Sequence, residues 1–216
     1  MTKKLTSLLL IGPTGSGKTP AGSWMEEHGI QGMPCFHFDF GAQLRRAADN
    51  PLRFPLLSSG DISAVRESLR RGTLLKDEQF PIAAALFRTF ARTRSIDKRG
   101  LIVCNGLPRH KNQAEQFESL ARVVSIVHLS CPAEIVHARI RKNTGGDRRG
   151  RVDDTFSAVE ERLQRFRDRT MELLDFYRNR DVPVITVPVT ADMSAEAAAA
   201  QAESGLVPVL NCRSMK

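Results

Sequence analysis

An apolar run from Leu5 to Ile11 passes without a break into Gly12-Pro13-Thr14-Gly15-Ser16-Gly17-Lys18-Thr19. Few folds begin with a buried strand that stops on a glycine-rich turn and restarts as a helix. The segment fits G-x-x-x-x-G-K-[ST], whose glycines let successive backbone N–H groups converge on phosphate oxygens while the next helix adds its positive N-terminal end. Gly12, Gly15, Ser16 and Gly17 are expected to form the cradle, Lys18 to neutralise β- and γ-phosphates, and Thr19 to place a hydroxyl on Mg²⁺. Pro20 is tolerated because the first helical turn needs no N–H donor. The opening residues resemble a secretory leader in outline, but the apolar stretch meets the glycine turn with no small-residue cleavage site, so they read as a strand.

Further β-type runs occur at 35–40, 100–104, 123–129 and 182–187, separated by stretches of helical spacing. Continuous apolar strands that alternate with helices require a parallel sheet covered on both faces, which predicts a three-layer α/β fold in one domain. Residues 41–94 exceed one crossover helix and hold three helical patterns, near 41–49, 61–71 and 76–94, so they read as a helical insert. From Phe156 a 3–4 spacing through Val159, Leu163, Phe166, Leu173 and Leu174 predicts about five helical turns, capped by Asp or Thr of 153–155. Arg162, Arg165 and Arg169 fall largely off that stripe. The 143–150 segment is glycine-rich and charged, hence a surface loop. The run 195–202 is helix-prone, and the tail from Gly205 carries no pattern.

No apolar run approaches the ~20 residues that span a bilayer. The four cysteines lie at least 27 residues apart, which excludes a Cys-x-x-Cys pair for zinc or redox exchange and fits a reducing cytoplasm. Net charge is +8, and Arg139 to Arg151 holds six basic residues against one acid. That concentration favours polyanions, whether nucleic acids, lipid headgroups or phosphorylated small molecules. One Trp, one Tyr and no basic–aromatic interleaving argue against a stacking surface for nucleic acid. His37 and His128 lie within strand patterns and read as packed side chains.

Three more motifs follow in order. Gly41-Ala42-Gln43-Leu44-Arg45 comes after the second strand, Asn105-Gly106-Leu107-Pro108-Arg109 with Gln113 after the third, and Gly150-Arg151-Val152-Asp153-Asp154 precedes Arg162. With the phosphate loop, this set resembles the adenylate kinase or nucleoside monophosphate kinase family, whose patterns are T-G-D-x-L-R, D-G-[FY]-P-R-x-x-x-Q and G-R-x-D-D. The resemblance covers residues 7 to 190. It implies a P-loop kinase fold with a five-stranded parallel core (1–40, 95–139 and 153–204), a monophosphate-binding insert (41–94), a short lid (140–152) and a tail (205–216). The activity it implies is transfer of the ATP γ-phosphoryl group, with Mg²⁺, to AMP or a related monophosphate. A cytoplasmic monomer with no membrane or nucleic-acid partner is expected.

By the same resemblance, Gly41, Arg45, Gly106 and Arg109 hold the monophosphate, Arg139 stacks on the ATP adenine, and Arg151 and Arg162 reach the transferring phosphoryl, oriented by Asp153 and Asp154. Arginine suits these positions on chemical grounds, because its planar fork binds phosphate bidentately and stays charged. Gln113 has two readings, an adenine-edge contact or an exposed helix residue. Arg141, Lys142, Arg148 and Arg149 read as solvated surface.

Departures from the pattern bear on activity. Ala42 and Asn105 stand where the family carries aspartates that help hold hydrated Mg²⁺, and Phe40 replaces the threonine before Gly41, altering the wall of the monophosphate pocket. Asn143 occupies a position that is often arginine in short-lid relatives, a loss that Arg141 or Arg148 is expected to cover. Two readings follow from these changes: a working kinase, or a nucleotide-binding protein with weak or no transfer. In the second, Asn105→Asp is expected to raise turnover.

Overall fold

Five strands, β1 (Leu5–Ile11), β2 (Cys35–Asp39), β3 (Leu101–Asn105), β4 (Ala121–Ser130) and β5 (Val184–Pro188), pair in parallel in the order β2-β3-β1-β4-β5. The computed structural model describes residues 4–73, 75–97, 99–147 and 155–211, the last five as backbone. Period-two alternation sorts the strand side chains onto two faces. Leu8, Leu10, Leu101 and Val103 pack beneath α1 (Lys18–His28) and α9 (Ala195–Asn211). Leu9, Ile11, Ile102 and Cys104 face the other way, under α4 (Phe80–Thr93), α5 (Lys111–Phe117) and α8 (Glu172–Arg178). The expected three-layer arrangement results, with both faces buried as parallel strands require.

The insert contains α2 (Phe40–Asp49), α3 (Ser59–Arg71) and α4. Helix α3 starts two residues before its apolar pattern, because Ser58 and Asp61 form a reciprocal cap: the Asp61 N–H donates to Ser58 Oγ (3.1 Å) and the Ser58 N–H to Asp61 Oδ2 (2.9 Å). Helix α4 starts later than its pattern, since Asp77–Gln79 forms a separate 3₁₀ turn and Pro81 takes a first-turn position. Phe38 of β2 meets Phe87 and Phe90 of α4 edge-on at 5.3 and 5.2 Å, which fixes the insert's last helix to the sheet.

Two expectations need correction. The five-turn helix from Phe156 is broken: α7 (Phe156–Arg165) is followed by a π-helical turn, Phe166–Thr170, where the Met171 N–H donates to the Phe166 carbonyl at 3.1 Å, and then by α8. The wide turn falls in the seven-residue gap of the apolar stripe between Phe166 and Leu173. The second correction is α9, which continues through Gly205 to Asn211 and so takes in residues the sequence left unassigned. Among the described residues, no helix is long and apolar enough to cross a membrane.

Cys35 and Cys104 are buried, and burial pushes both thiols up to about 12. His128 on β4 is buried as well, and burial, helped by nearby Arg178, holds its pKa below the usual histidine value. The unfolded chain then binds a proton at His128 near pH 6.5 that the folded chain refuses, so stability is lost as pH falls through that value. The slope reaches at most about 1.4 kcal/mol per pH unit for this residue. A melting temperature that falls between pH 7.5 and 5.5, and falls less in His128→Gln, is the expected result; equal slopes would contradict it.

The crossovers leave β1 and β3 in opposite directions. A crevice therefore opens beyond the carboxyl ends of these two adjacent strands, where ligands bind in open α/β sheets. Both the glycine turn after β1 and the Asn105–Arg109 segment after β3 end there.

Candidate active site

The turn after β1 wraps the start of α1. Gly17 closes it with φ +93°, a left-handed conformation that glycine adopts without steric cost. No acidic residue occupies the first turn of α1, so its N-terminal N–H groups face the crevice uncompensated. Lys18 Nζ folds back over the loop and donates to the carbonyls of Gly12 and Pro13, each at 2.7 Å. The Ser16 hydroxyl is buried in the cradle without a hydrogen-bond partner among the described residues, a polar atom that a phosphate oxygen would satisfy.

Beside Lys18 the structure supplies a carboxylate that the motif alignment missed. Asp39, the last residue of β2, uses its two oxygens for different purposes. Oδ1 accepts the Ala42 N–H (2.9 Å) and caps α2; Oδ2 accepts the Thr19 hydroxyl (2.8 Å). Asn105 Nδ2 donates both to Thr19 Oγ1 (2.9 Å) and to Asp39 Oδ2 (3.1 Å), which closes a three-residue network. Burial opposes the charge on Asp39, but the Ala42 N–H, the Thr19 hydroxyl and the positive charges nearby outweigh it, so the carboxyl lies below its usual pKa. Sequence reading placed Ala42 at the acidic position and concluded that the charge was lost. A carboxylate, that of Asp39, stands three residues earlier, and Asn105 completes its hydrogen bonding.

Arginines form a further part of the lining. Arg45, Arg109 and Arg162 line the same cavity of about 290 Å³ as Gly12, Lys18 and Thr19, and Gly41 and Gly106 line it with them. Gly106, at φ +82°, turns the chain after β3, and Arg109 Nε donates back to its carbonyl at 2.9 Å. The Arg109 backbone is held on both sides. Its N–H donates to Gln113 Oε1 (3.0 Å), and its carbonyl accepts the Thr170 hydroxyl (3.0 Å). Burial, together with the charges of Arg165 and Arg162, works against the Arg109 cation, and Asp39 partly offsets them. The site is therefore tuned to bring in negative charge.

Several expected roles look different in the structure. Gln113 is buried, not exposed on its helix, and its oxygen is already engaged by Arg109. Phe40 is buried in the core beside Phe38 and packs close to Gly106 at the edge of the cavity. Arg139, on α6 (Ala133–Lys142), is buried: Nε donates to Gly15 O (3.1 Å) and one terminal nitrogen to Thr190 O (2.8 Å) and Met193 O (2.9 Å). It ties the phosphate loop to the segment after β5, with its guanidinium edge occupied. Asn143 ends α6 in a left-handed conformation, a position that asparagine tolerates better than arginine does. Arg141 and Lys142 are exposed, and Lys142 pairs with Asp192 at 2.8 Å. Arg148, Arg149, Arg151, Asp153 and Asp154 lie outside the described residues.

Sequence reading missed Asp39, Arg165 and Thr170. Asp39 carried a signal, because an aspartate three residues before Ala42 at a strand-to-helix junction is an N-cap pattern. Arg165 follows Arg162 by three, which puts both on one side of α7. Thr170 had no local signal, since it reaches the site only through the π turn.

No protein-family model matches the chain. The chain is 30% identical over 180 residues to an adenylate kinase of Xanthomonas campestris pv. campestris (strain 8004), covering 80% of this chain and 86% of that protein. An adenylate kinase of Synechococcus sp. (strain WH7803) matches at 28% over 207 residues, covering 92% and 97%. Among solved structures, a gluconokinase from Sinorhizobium meliloti 1021 superposes with a TM-score of 0.56 at 18% identity over 99% of both chains. A sugar kinase from Janibacter sp. HTCC2649 gives 0.54 at 19%, over 94% of this chain and 95% of that one. The structural matches establish the kinase-type α/β fold, and the sequence matches show that the chain belongs to the adenylate kinase family.

Proposed function

We propose that the protein is a nucleoside monophosphate kinase that moves the γ-phosphoryl group of ATP, with Mg²⁺, onto AMP or a related monophosphate and yields two nucleoside diphosphates. The observation that carries this reading is the lining of the cavity. One part of its lining is a phosphate cradle with a lysine and a hydroxyl–carboxylate pair, and another gathers four arginines, Arg45, Arg109, Arg162 and Arg165, with Asp147 at the same cavity. A hydrolase needs only the first part; a group of arginines beside it suits a second anionic substrate.

In this reading the N–H cradle and Lys18 hold the ATP phosphates, while Arg45 and Arg109 hold the monophosphate. An oxygen of the monophosphate attacks the γ-phosphorus, the bond to the β–γ bridging oxygen breaks, and ADP leaves with that electron pair. No base is required, because the attacking oxygen is already anionic. Arg162, with Arg151 from the lid, neutralises charge spread over the equatorial oxygens. The two substrates repel each other in water, so most of the catalytic effect is positioning against fixed cations.

Mg²⁺ fits this site. Thr19 and Asp39, in hydrogen-bond contact beside the cradle, are the hydroxyl and carboxylate that would hold this cation together with substrate phosphates. When bound it neutralises β- and γ-oxygen charge. Arg139 serves the ATP side through the flat face of its guanidinium, since its edge is engaged by carbonyls. Inert buried thiols fit work in a reducing cytoplasm, and the protein acts on free nucleotides as a monomer.

The test is ADP formation with ATP, Mg²⁺ and each of AMP, CMP, UMP, GMP and dTMP, with gluconate as a control acceptor because a gluconokinase shares the fold. Turnover that depends on at least one monophosphate is expected. No turnover with any of them, alongside calorimetric ATP binding, would instead support the nucleotide-binding protein without transfer.

A further inference from the structure

Arg165 belongs to none of the motifs, yet it lines the phosphate cavity with Arg109 and Arg162. It also borders a second, open cleft of about 760 Å³, lined by the insert segment 73–78, His110, Glu161 of α7 and the turn that follows α7, Asp168 included. It stands between the two spaces. Its one hydrogen bond among the described residues runs from a terminal nitrogen to the carbonyl of Gly72, 3.2 Å away, the left-handed residue that closes α3. That bond joins α7 to the insert.

The partner is a poor match for the donor. A long bond to a neutral carbonyl uses one of five N–H groups, and no carboxylate lies within ion-pair distance among the described residues. Meanwhile the positive charge of Arg165 works against the charged form of Arg109. An arginine with no carboxylate in ion-pair contact among the described residues, set beside a partly buried arginine whose charge Asp39 only partly offsets, gains when an anion enters between them. A phosphate offers charge-assisted, bidentate bonds that Gly72 cannot.

On the kinase reading above, we propose that Arg165 is a further binding residue for the phosphate of the acceptor monophosphate. It exchanges the Gly72 carbonyl for that phosphate when the acceptor binds. The exchange frees α7 from the insert and joins the two spaces, so acceptor entry and the position of the insert are coupled through one side chain.

The test compares the full chain with Arg165→Gln, which keeps a neutral donor for Gly72 but loses the charge, and with Arg165→Lys. Loss of one charge-assisted bond predicts an acceptor KM raised about tenfold or more in Arg165→Gln. The ATP KM is expected to stay within about twofold, the melting temperature to be unchanged, and Arg165→Lys to recover part of the loss. An acceptor KM unchanged in Arg165→Gln, or an ATP KM rising in step with it, would overturn the proposal. Calorimetric titration with AMP, and with inorganic phosphate in the presence of ATP, separates this from failure of the kinase reading. If the wild type transfers nothing but binds either probe, and Arg165→Gln loses that binding, Arg165 stands while the kinase reading falls. Equal binding by the two proteins, or none by the wild type, overturns the role of Arg165.

Discussion

Asp39→Ala is expected to lower phosphoryl transfer by about 10- to 100-fold, the scale seen when groups that orient a metal site are removed. Among the described residues its Oδ2 is the carboxylate oxygen in contact with the Thr19 hydroxyl, and Asn105 cannot replace its charge. The substitution also removes the cap on α2, at a cost of about 1 kcal/mol. Asp39→Asn separates the two effects. Asparagine caps a helix nearly as well as aspartate, so this variant is expected to keep the melting temperature and lose the activity. The geometry also reverses the expectation that Asn105→Asp raises turnover. It would set a second carboxylate about 3.1 Å from Asp39 Oδ2, where like charges push one pKa up and oppose each other. The exchanged pair, Asp39→Asn with Asn105→Asp, restores one charge on the same network and is expected to recover part of the transfer that Asp39→Asn loses. Steady-state rates across a Mg²⁺ series, with thermal melts of each variant, check all of these outcomes.

Arg109→Ala is expected to cost about 100-fold or more in kcat/KM for the acceptor, as removal of a desolvated charge partner of an anion commonly does. Its backbone is locked by Gln113 and Thr170, so little of the side chain's placement is left to chance. The same residue contributes unfavourably to the empty protein, since burial and two neighbouring arginines oppose its charge. A neutral replacement of similar length, Arg109→Met, is therefore expected to match or exceed the wild-type melting temperature while losing activity to the same degree. Loss of activity together with loss of stability would mean that Arg109 is structural. The combination of kcat/KM and melting temperature distinguishes the two, because binding residues often trade stability for function.

What the sequence made legible follows physical range. The strand-turn-helix of residues 5–28 is local, so its glycines, lysine and threonine announced the cradle directly. Strand alternation and helical spacing gave the layers and the insert for the same reason. The cap at Ser58 and the 3₁₀ turn at Asp77–Gln79 moved helix ends by a few residues, as terminal hydrogen bonds do. Contacts across long sequence separation were hidden. Asn105 reaches Thr19 over 86 residues and Asp39 over 66, and Thr170 reaches Arg109 over 61. A motif fixed in register drew attention to Ala42 and Asn105 and said nothing of the Asp39 carboxylate that meets Thr19 from the strand end. Gln113 was ambiguous because helical spacing could not show that Arg109 folds back onto it.

The central claim is that the phosphoryl group taken from ATP goes to a nucleoside monophosphate. The most direct measurement follows a γ-labelled phosphoryl of ATP in the presence of Mg²⁺ and the five monophosphates, with the products separated and the labelled position identified. Label in the β-position of a nucleoside diphosphate, absent in Asp39→Asn and in Arg109→Ala, is the predicted result. Label released only as inorganic phosphate, or carried onto gluconate with every monophosphate untouched, would contradict it.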